Sequence, residues 1–182
     1  MNQIVTLIGY RATGKSTIAP ALAQRLDWQC VDSDIEVEKQ SGRTIAQIFE
    51  EDGEAEFRRL ERATIVELLK RKQTVLSVGG GAILDAATRN DLKAAGPVIW
   101  LQASVETIAS RLTADSKTKT SRPNLTESVD QRTEVTEVLK LRTRLYAETA
   151  TIVIDTEELD CERVTDIAYK EIAKLLTKGV TE

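Results

Sequence analysis

Residues Gly9 to Thr17 read GYRATGKST. A glycine, four residues, a second glycine, then lysine and serine is the spacing of a loop that cradles phosphate. Its setting decides whether the match carries meaning. Before it, Ile4–Val5–Thr6–Leu7–Ile8 reads as a buried strand, and after it Lys15 to about Leu26 reads as a helix. Strand, turn and helix aim successive backbone N–H groups at one centre, where the helix dipole adds positive potential. Lys15 then spans the β- and γ-phosphates, and the Ser16 hydroxyl is placed to ligate Mg²⁺. The expected ligand is a purine nucleoside triphosphate with Mg²⁺, against the alternative of a chance glycine turn. Motors, GTPases, nucleotide kinases and small-molecule kinases all carry such a loop, so the loop alone leaves the reaction open.

Working outward, short β-branched runs alternate with amphipathic stretches. Further strands are expected at Cys30–Val31, Val75–Val78, Val98–Leu101 and Thr151–Ile154. Helices are expected after a capping box at Thr44–Gln47, from about Gly53 to Lys72, from about Asp85 to Ala95, from Ser104 to about Leu112 and from about Ser128 to Glu148. A last helix places Val164, Ile167, Ala168, Ile172, Leu175 and Leu176 on one face. The alternation predicts an α/β fold, a parallel sheet with helices on both faces. Residues 113–121, TADSKTKTS, read as a mobile polar loop, and Pro123 blocks a helix through that point. With no internal repeat and no Pro-, Gly- or Ser-rich linker, 182 residues predict a single domain.

Composition removes several classes of function. A net charge of −4 gives no basic surface for nucleic acid, so any cationic site is a local focus for small anions. No apolar run approaches membrane-spanning length, and no secretory layout precedes the loop, so a cytoplasmic protein is expected. Two distant cysteines, Cys30 and Cys161, build neither a disulfide framework nor a metal cluster. The chain has no histidine, which leaves carboxylates, Lys, Arg, hydroxyls or a borrowed metal ion to do the chemistry.

A second constellation surrounds the loop. Asp32–Ser33–Asp34 ends the second strand at the carboxyl edge, where ligands gather in open α/β sheets. Asp32 sits near Mg²⁺ and Asp34 near an attacking hydroxyl, or one or both cap the following helix; the residues alone favour neither. In GEAEFRRLE, residues 53–61, a helix would put Glu54, Arg58 and Glu61 on one face. That face is either a solvated charge ladder or, given Phe57 within it, the lining of a cleft. Gly79–Gly80–Gly81 ends the third strand, as backbone does where a ligand must come close. Arg122 follows the polar loop as a lid arginine would, and Arg142 and Arg144 lie on a helix; their planar forks suit carboxylate and phosphate.

Together these stretches resemble the shikimate kinase family over nearly the whole chain and in order: GYRATGKST, VDSD at 31–34, GEAEFRRLE, SVGGGAIL at 77–84, SRPNL at 121–125 and LRTRLYAETA at 141–150. The resemblance implies a P-loop NTPase-like three-layer sandwich, similar to nucleoside monophosphate kinases, with a central parallel five-stranded sheet. It implies a substrate-binding helical excursion at about 33–62 and a lid at about 112–125. The implied activity is transfer of the ATP γ-phosphoryl group to the 3-hydroxyl of shikimate, with Mg²⁺, by a monomer. Carried over by position, Asp34 contacts the shikimate hydroxyls as base or orienter, Arg58 and Arg142 hold its carboxylate, and Glu61 braces Arg58. Gly79, Gly80 and Gly81 bring backbone to the substrate. Lys15 and Arg122 neutralise the transferring group. Arg11, Ala12, Thr13, Gly14, Lys15, Ser16 and Thr17 bind nucleotide, with Arg111 stacked on adenine, and Ser16 and Asp32 manage the metal.

Three positions depart from the family pattern. Ala12 replaces a glycine, Asn124 a lid leucine, and Arg144 a proline. Ala12 is expected to keep φ below zero, since a positive value strains any residue with a Cβ. Arg144 is expected to be either a surface change or a competitor to Arg142. A gluconate-type kinase, a silent nucleotide-binding module and a GTPase are the alternatives. The ordered motifs, the retained charges and the lack of an Asn-Lys-x-Asp stretch weigh against each in turn.

Overall fold

The structure is a computed structural model that describes residues 4–114 and 131–178. Five parallel strands form one sheet in the order β2-β3-β1-β4-β5: β1 Ile4–Ile8, β2 Gln29–Asp32, β3 Thr74–Ser77, β4 Val98–Gln102 and β5 Ile152–Asp155. Each connection carries helix: α1 Lys15–Leu26, α2 Ser33–Ser41, α3 Ile45–Leu68, α4 Ala86–Ala95, α5 Val105–Ala114 and α6 Gln131–Thr149, with α7 Cys161–Lys178 after the last strand.

The layering follows from the two-residue period of a strand. In β1, Val5 and Leu7 face one way and pack with Ile18, Ala19 and Leu22 of α1 and Val164, Ala168 and Ile172 of α7. Ile4 and Ile8 face the other way and pack with Ile65 and Leu68 of α3, Leu92 of α4 and Tyr146 of α6. Both faces of the central strands are therefore dry, which explains their unbroken apolar runs.

Local signals set the helix starts. Thr44 and Gln47 complete a reciprocal capping box, Asp85 accepts from Ala87 and Thr88 N–H, and Ser104 accepts from Thr107 N–H. The run Ile45–Leu68 is two helical stretches that meet at a kink, as expected: one opened by the capping box, and a longer one following Gly53, whose φ of 81° and ψ of 177° only glycine adopts readily. On α7, Leu175 is exposed, contrary to its place on the expected apolar face. The helix expected from about 128 is described from Gln131.

Candidate active site

Loops leaving the carboxyl ends of β1, β2, β3 and β5 converge on a cavity of about 540 Å³. Its floor is the loop at 11–17. Gly14 caps α1 at φ 99° with no side chain on the helix N-terminus, so the first N–H groups face the cavity. Lys15 is buried and folds back onto the loop, donating from Nζ to the carbonyls of Gly9 (2.7 Å) and Tyr10 (2.8 Å). Thr13 ties the turn shut, Oγ1 to Tyr10 O at 2.7 Å. Ser16 and Thr17 line the same cavity.

The expectation for Ala12 fails: its φ is +61°. Thr13 closes a four-residue turn on the Tyr10 carbonyl, through its N–H at 3.4 Å and its Oγ1, and Ala12 takes the third position, where a left-handed residue suits such a turn. The Arg111 Nη1 donates to the Ala12 carbonyl at 3.4 Å and to Thr156 Oγ1 at 3.1 Å, and Nη2 to Thr156 O at 2.9 Å. Arg111 thus stands on the cavity wall beside the loop that follows β5. Thr156, Leu159, Asp160, Cys161 and Val164 complete that wall. No motif pointed to this segment, although the rule that ligands sit beyond strand carboxyl ends applies to β5 as it does to β1. Glu157 anchors it, accepting from Ser104 N–H and from Thr107 Oγ1 (2.6 Å); these bonds hold its carboxyl down to a pKa of about 2.

Asp32 caps α2: Oδ1 accepts from Asp34 N–H at 2.9 Å, and Oδ2 accepts from Ser77 Oγ at 2.9 Å, its neighbour in register on β3. The capping alternative is therefore realised at Asp32, which still borders the cavity with Ser16. Asp34 lies inside the first turn of α2, not at its cap, and is nearly buried.

Beyond Asp34 a narrower pocket of about 50 Å³ opens, lined by Tyr10, Ile45, Phe49, Phe57, Arg58, Glu61, Gly79–Gly81 and Arg142. Here the charge run of α3 proves to be the lining of a cleft. Arg58 donates to Glu61 Oε2 at 2.7 Å and to Glu54 Oε1 at 3.1 and 3.2 Å. Glu61 is only 3% exposed, and burial raises its pKa against the lowering pull of Arg58. From α6, Arg142 Nη1 reaches Gly80 O at 3.2 Å, and the Tyr146 hydroxyl donates to the same carbonyl at 2.6 Å. Burial pushes the Tyr146 phenol up, so it stays neutral and a donor.

The glycine run makes room for these side chains. A Cβ at Gly79 would lie 2.6 Å from Glu61 Oε1 and 2.7 Å from Asp34 Oδ1, and one at Gly81 would lie 2.5 Å from the Arg58 guanidinium. Arg144 takes the surface alternative, pairing with Glu148 at 2.7 Å, clear of Arg142. Arg122, Asn124 and the lid from residue 115 lie outside the described residues. Glu134 on α6, which no motif flagged, pairs with Arg11 of the loop.

The chain is similar to known proteins over most of its length. The family model described as shikimate kinase matches residues 11–173. The chain is 44% identical over 154 residues to the shikimate kinase of Pasteurella multocida, covering 85% of this chain and 86% of that one. It is 38% identical over 162 residues to that of Rhodopirellula baltica, covering 89% and 86%. The solved shikimate kinase of Acinetobacter baumannii, in complex with shikimate, superposes with a TM-score of 0.85 at 34% identity, over 100% of this chain and 97% of that one. A gluconokinase from Sinorhizobium meliloti shares the fold, with a TM-score of 0.61 at 16% identity. On these matches the chain belongs to the shikimate kinase family.

Proposed function

We propose that the protein transfers the γ-phosphoryl group of ATP to the 3-hydroxyl of shikimate, giving shikimate 3-phosphate and ADP on the route to chorismate and the aromatic amino acids. One observation carries the reading: Arg58, Arg142 and Asp34 converge in one pocket, and that pocket shares Arg11, Asp34, Gly79 and Gly80 with the cavity over the phosphate loop. Shikimate is a carboxylate bearing hydroxyls. Two guanidinium groups suit its carboxylate and Asp34 its hydroxyls. The related Acinetobacter baumannii protein was solved with shikimate bound.

In the transfer a bond forms between the acceptor oxygen and the γ-phosphorus. The bond from that phosphorus to the β–γ bridging oxygen breaks, and its electron pair leaves with ADP. The acceptor proton must go, and Asp34 is placed to take or orient it. Phosphoryl transfer needs positioning and charge neutralisation more than covalent help, so a chain without histidine loses nothing. The loop N–H groups and Lys15 hold the phosphates, Arg58 and Arg142 hold the acceptor, and Glu61 keeps Arg58 in place. Arg111 and Thr156 border the nucleoside end, and Arg122 is assigned to the lid.

The donor set suits Mg²⁺. The Ser16 hydroxyl and the Asp32 carboxylate, both hard oxygen donors, border the same cavity. Ser16 would ligate the ion and Asp32 would lie beside it; when bound it neutralises phosphate charge. A monomer with one domain and a lid, working in the cytoplasm, completes the proposal. Among the described residues no helix is long and apolar enough to cross a membrane.

Asp34→Asn tests the site directly. Turnover should fall by about 10²- to 10⁴-fold while ATP binding, measured by calorimetry, stays close to wild type. An equal loss of ATP affinity would remove Asp34 from the acceptor side.

A further inference from the structure

Four residues wall both cavities: Arg11, Asp34, Gly79 and Gly80. They frame the passage a phosphoryl group must cross between donor and acceptor. Asp34 brings negative charge and the glycines bring backbone, so Arg11 is the cation of that frame. Arg11 is not part of the generic chemistry of the loop, which works through backbone N–H groups, lysine and a hydroxyl.

Two further features aim it. Glu134 of α6 is 3% exposed and pairs with an Arg11 Nη2. It lies two helical turns before Arg142 on the buried face that also carries Val138, so one rigid helix holds both Arg11 and the acceptor clamp. The Arg11 guanidinium also lies over the Tyr10 ring, 5.6 Å from its centroid, and its Nε is buried without a hydrogen bond of good geometry among the described residues. A buried donor left without an acceptor costs about 1–3 kcal/mol, and a phosphoryl oxygen in the passage would relieve that cost.

We propose that Arg11 is a catalytic cation for the transferring phosphoryl group, supplied by the donor loop itself, and that Glu134 is its positioning residue. The inference rests on the proposed transfer reaction. As negative charge spreads over the oxygens in flight, a preorientated guanidinium stabilises the transition state more than bound ATP. Arg11 therefore acts on turnover, and a simple staple between loop and helix would act on stability alone.

The full chain is assayed for kcat, for KM of ATP and shikimate, and for Tm, as wild type and as Arg11→Met, Arg11→Lys and Glu134→Gln. Arg11→Met should lower kcat by about 10- to 100-fold with KM for ATP changed less than about threefold. Arg11→Lys, which keeps the charge and loses the fork, should fall between it and wild type, and Glu134→Gln should lower kcat several-fold. Should Arg11→Met fail to fold, Arg11→Lys and Glu134→Gln carry the test through the same kcat loss. Wild-type kcat in the folded variants with only Tm lowered would make the pair a staple and overturn the inference. A loss confined to KM for ATP would make Arg11 a ground-state binder and overturn it too. No shikimate-dependent turnover by the wild type would instead overturn the proposed function, and the inference with it.

Discussion

At Ala12 the chain holds an L-residue at φ +61°, a conformation that costs about 1–2 kcal/mol without glycine. Ala12→Gly should raise stability by about 0.5–1 kcal/mol after the added freedom of the unfolded chain is set against it, read as a small rise in Tm. A fall would mean that packing of the methyl beside Ile108 and Val135 outweighs the strain. The preference of a single residue does not contain this angle, which belongs to the turn that Thr13 closes on the Tyr10 carbonyl. Glu61 adds a pH signature. Its native pKa lies above the ordinary value, so the folded protein holds a proton that the unfolded chain releases. Its contribution to stability is therefore greatest below the ordinary carboxylate pKa and is lost as pH rises through the native one. Urea unfolding across that window should show the slope in wild type and its absence in Glu61→Gln; parallel curves would contradict the assignment.

At the scale of elements, the alternating pattern revealed the strands because both sheet faces are apolar, and the helix starts because capping side chains are local. The break in α3 was legible too: Gly53 reads as the boundary between the capping-box helix and the longer one, and the two meet there at a φ and ψ that an L-residue resists. Gly53→Ala should cost about 1–3 kcal/mol, measured by denaturant unfolding. Among the described residues, its chain neighbours and the adjoining helix backbone aside, no atom lies within 4 Å of a Cβ there, so a loss reports strain and not a clash. The stretch before Gly53 carries Ile45 and Phe49 to the acceptor pocket. The triple glycine was legible as a place of close approach, but the approaching groups, Asp34, Glu61 and Arg58, come from two other elements that no local pattern joins to it.

For the whole molecule, the parallel sheet brings the ends of β1, β2, β3 and β5 to one edge, so donor and acceptor cavities share a wall. Motifs announced the phosphate loop, the aspartates, the arginines and the glycines. They did not announce the loop after β5 or Glu134, whose parts are ordinary residues given meaning only by the sheet order and by the packing of α6. On the proposed function the two cavities form one phosphoryl-transfer site for shikimate. This is tested most directly by ADP release from ATP and Mg²⁺ with shikimate, with gluconate and with no acceptor. Release should be rapid with shikimate, accompanied by shikimate 3-phosphate in the product, and little above background in the other two. Equal release in all three, or release driven by gluconate and not shikimate, would contradict it.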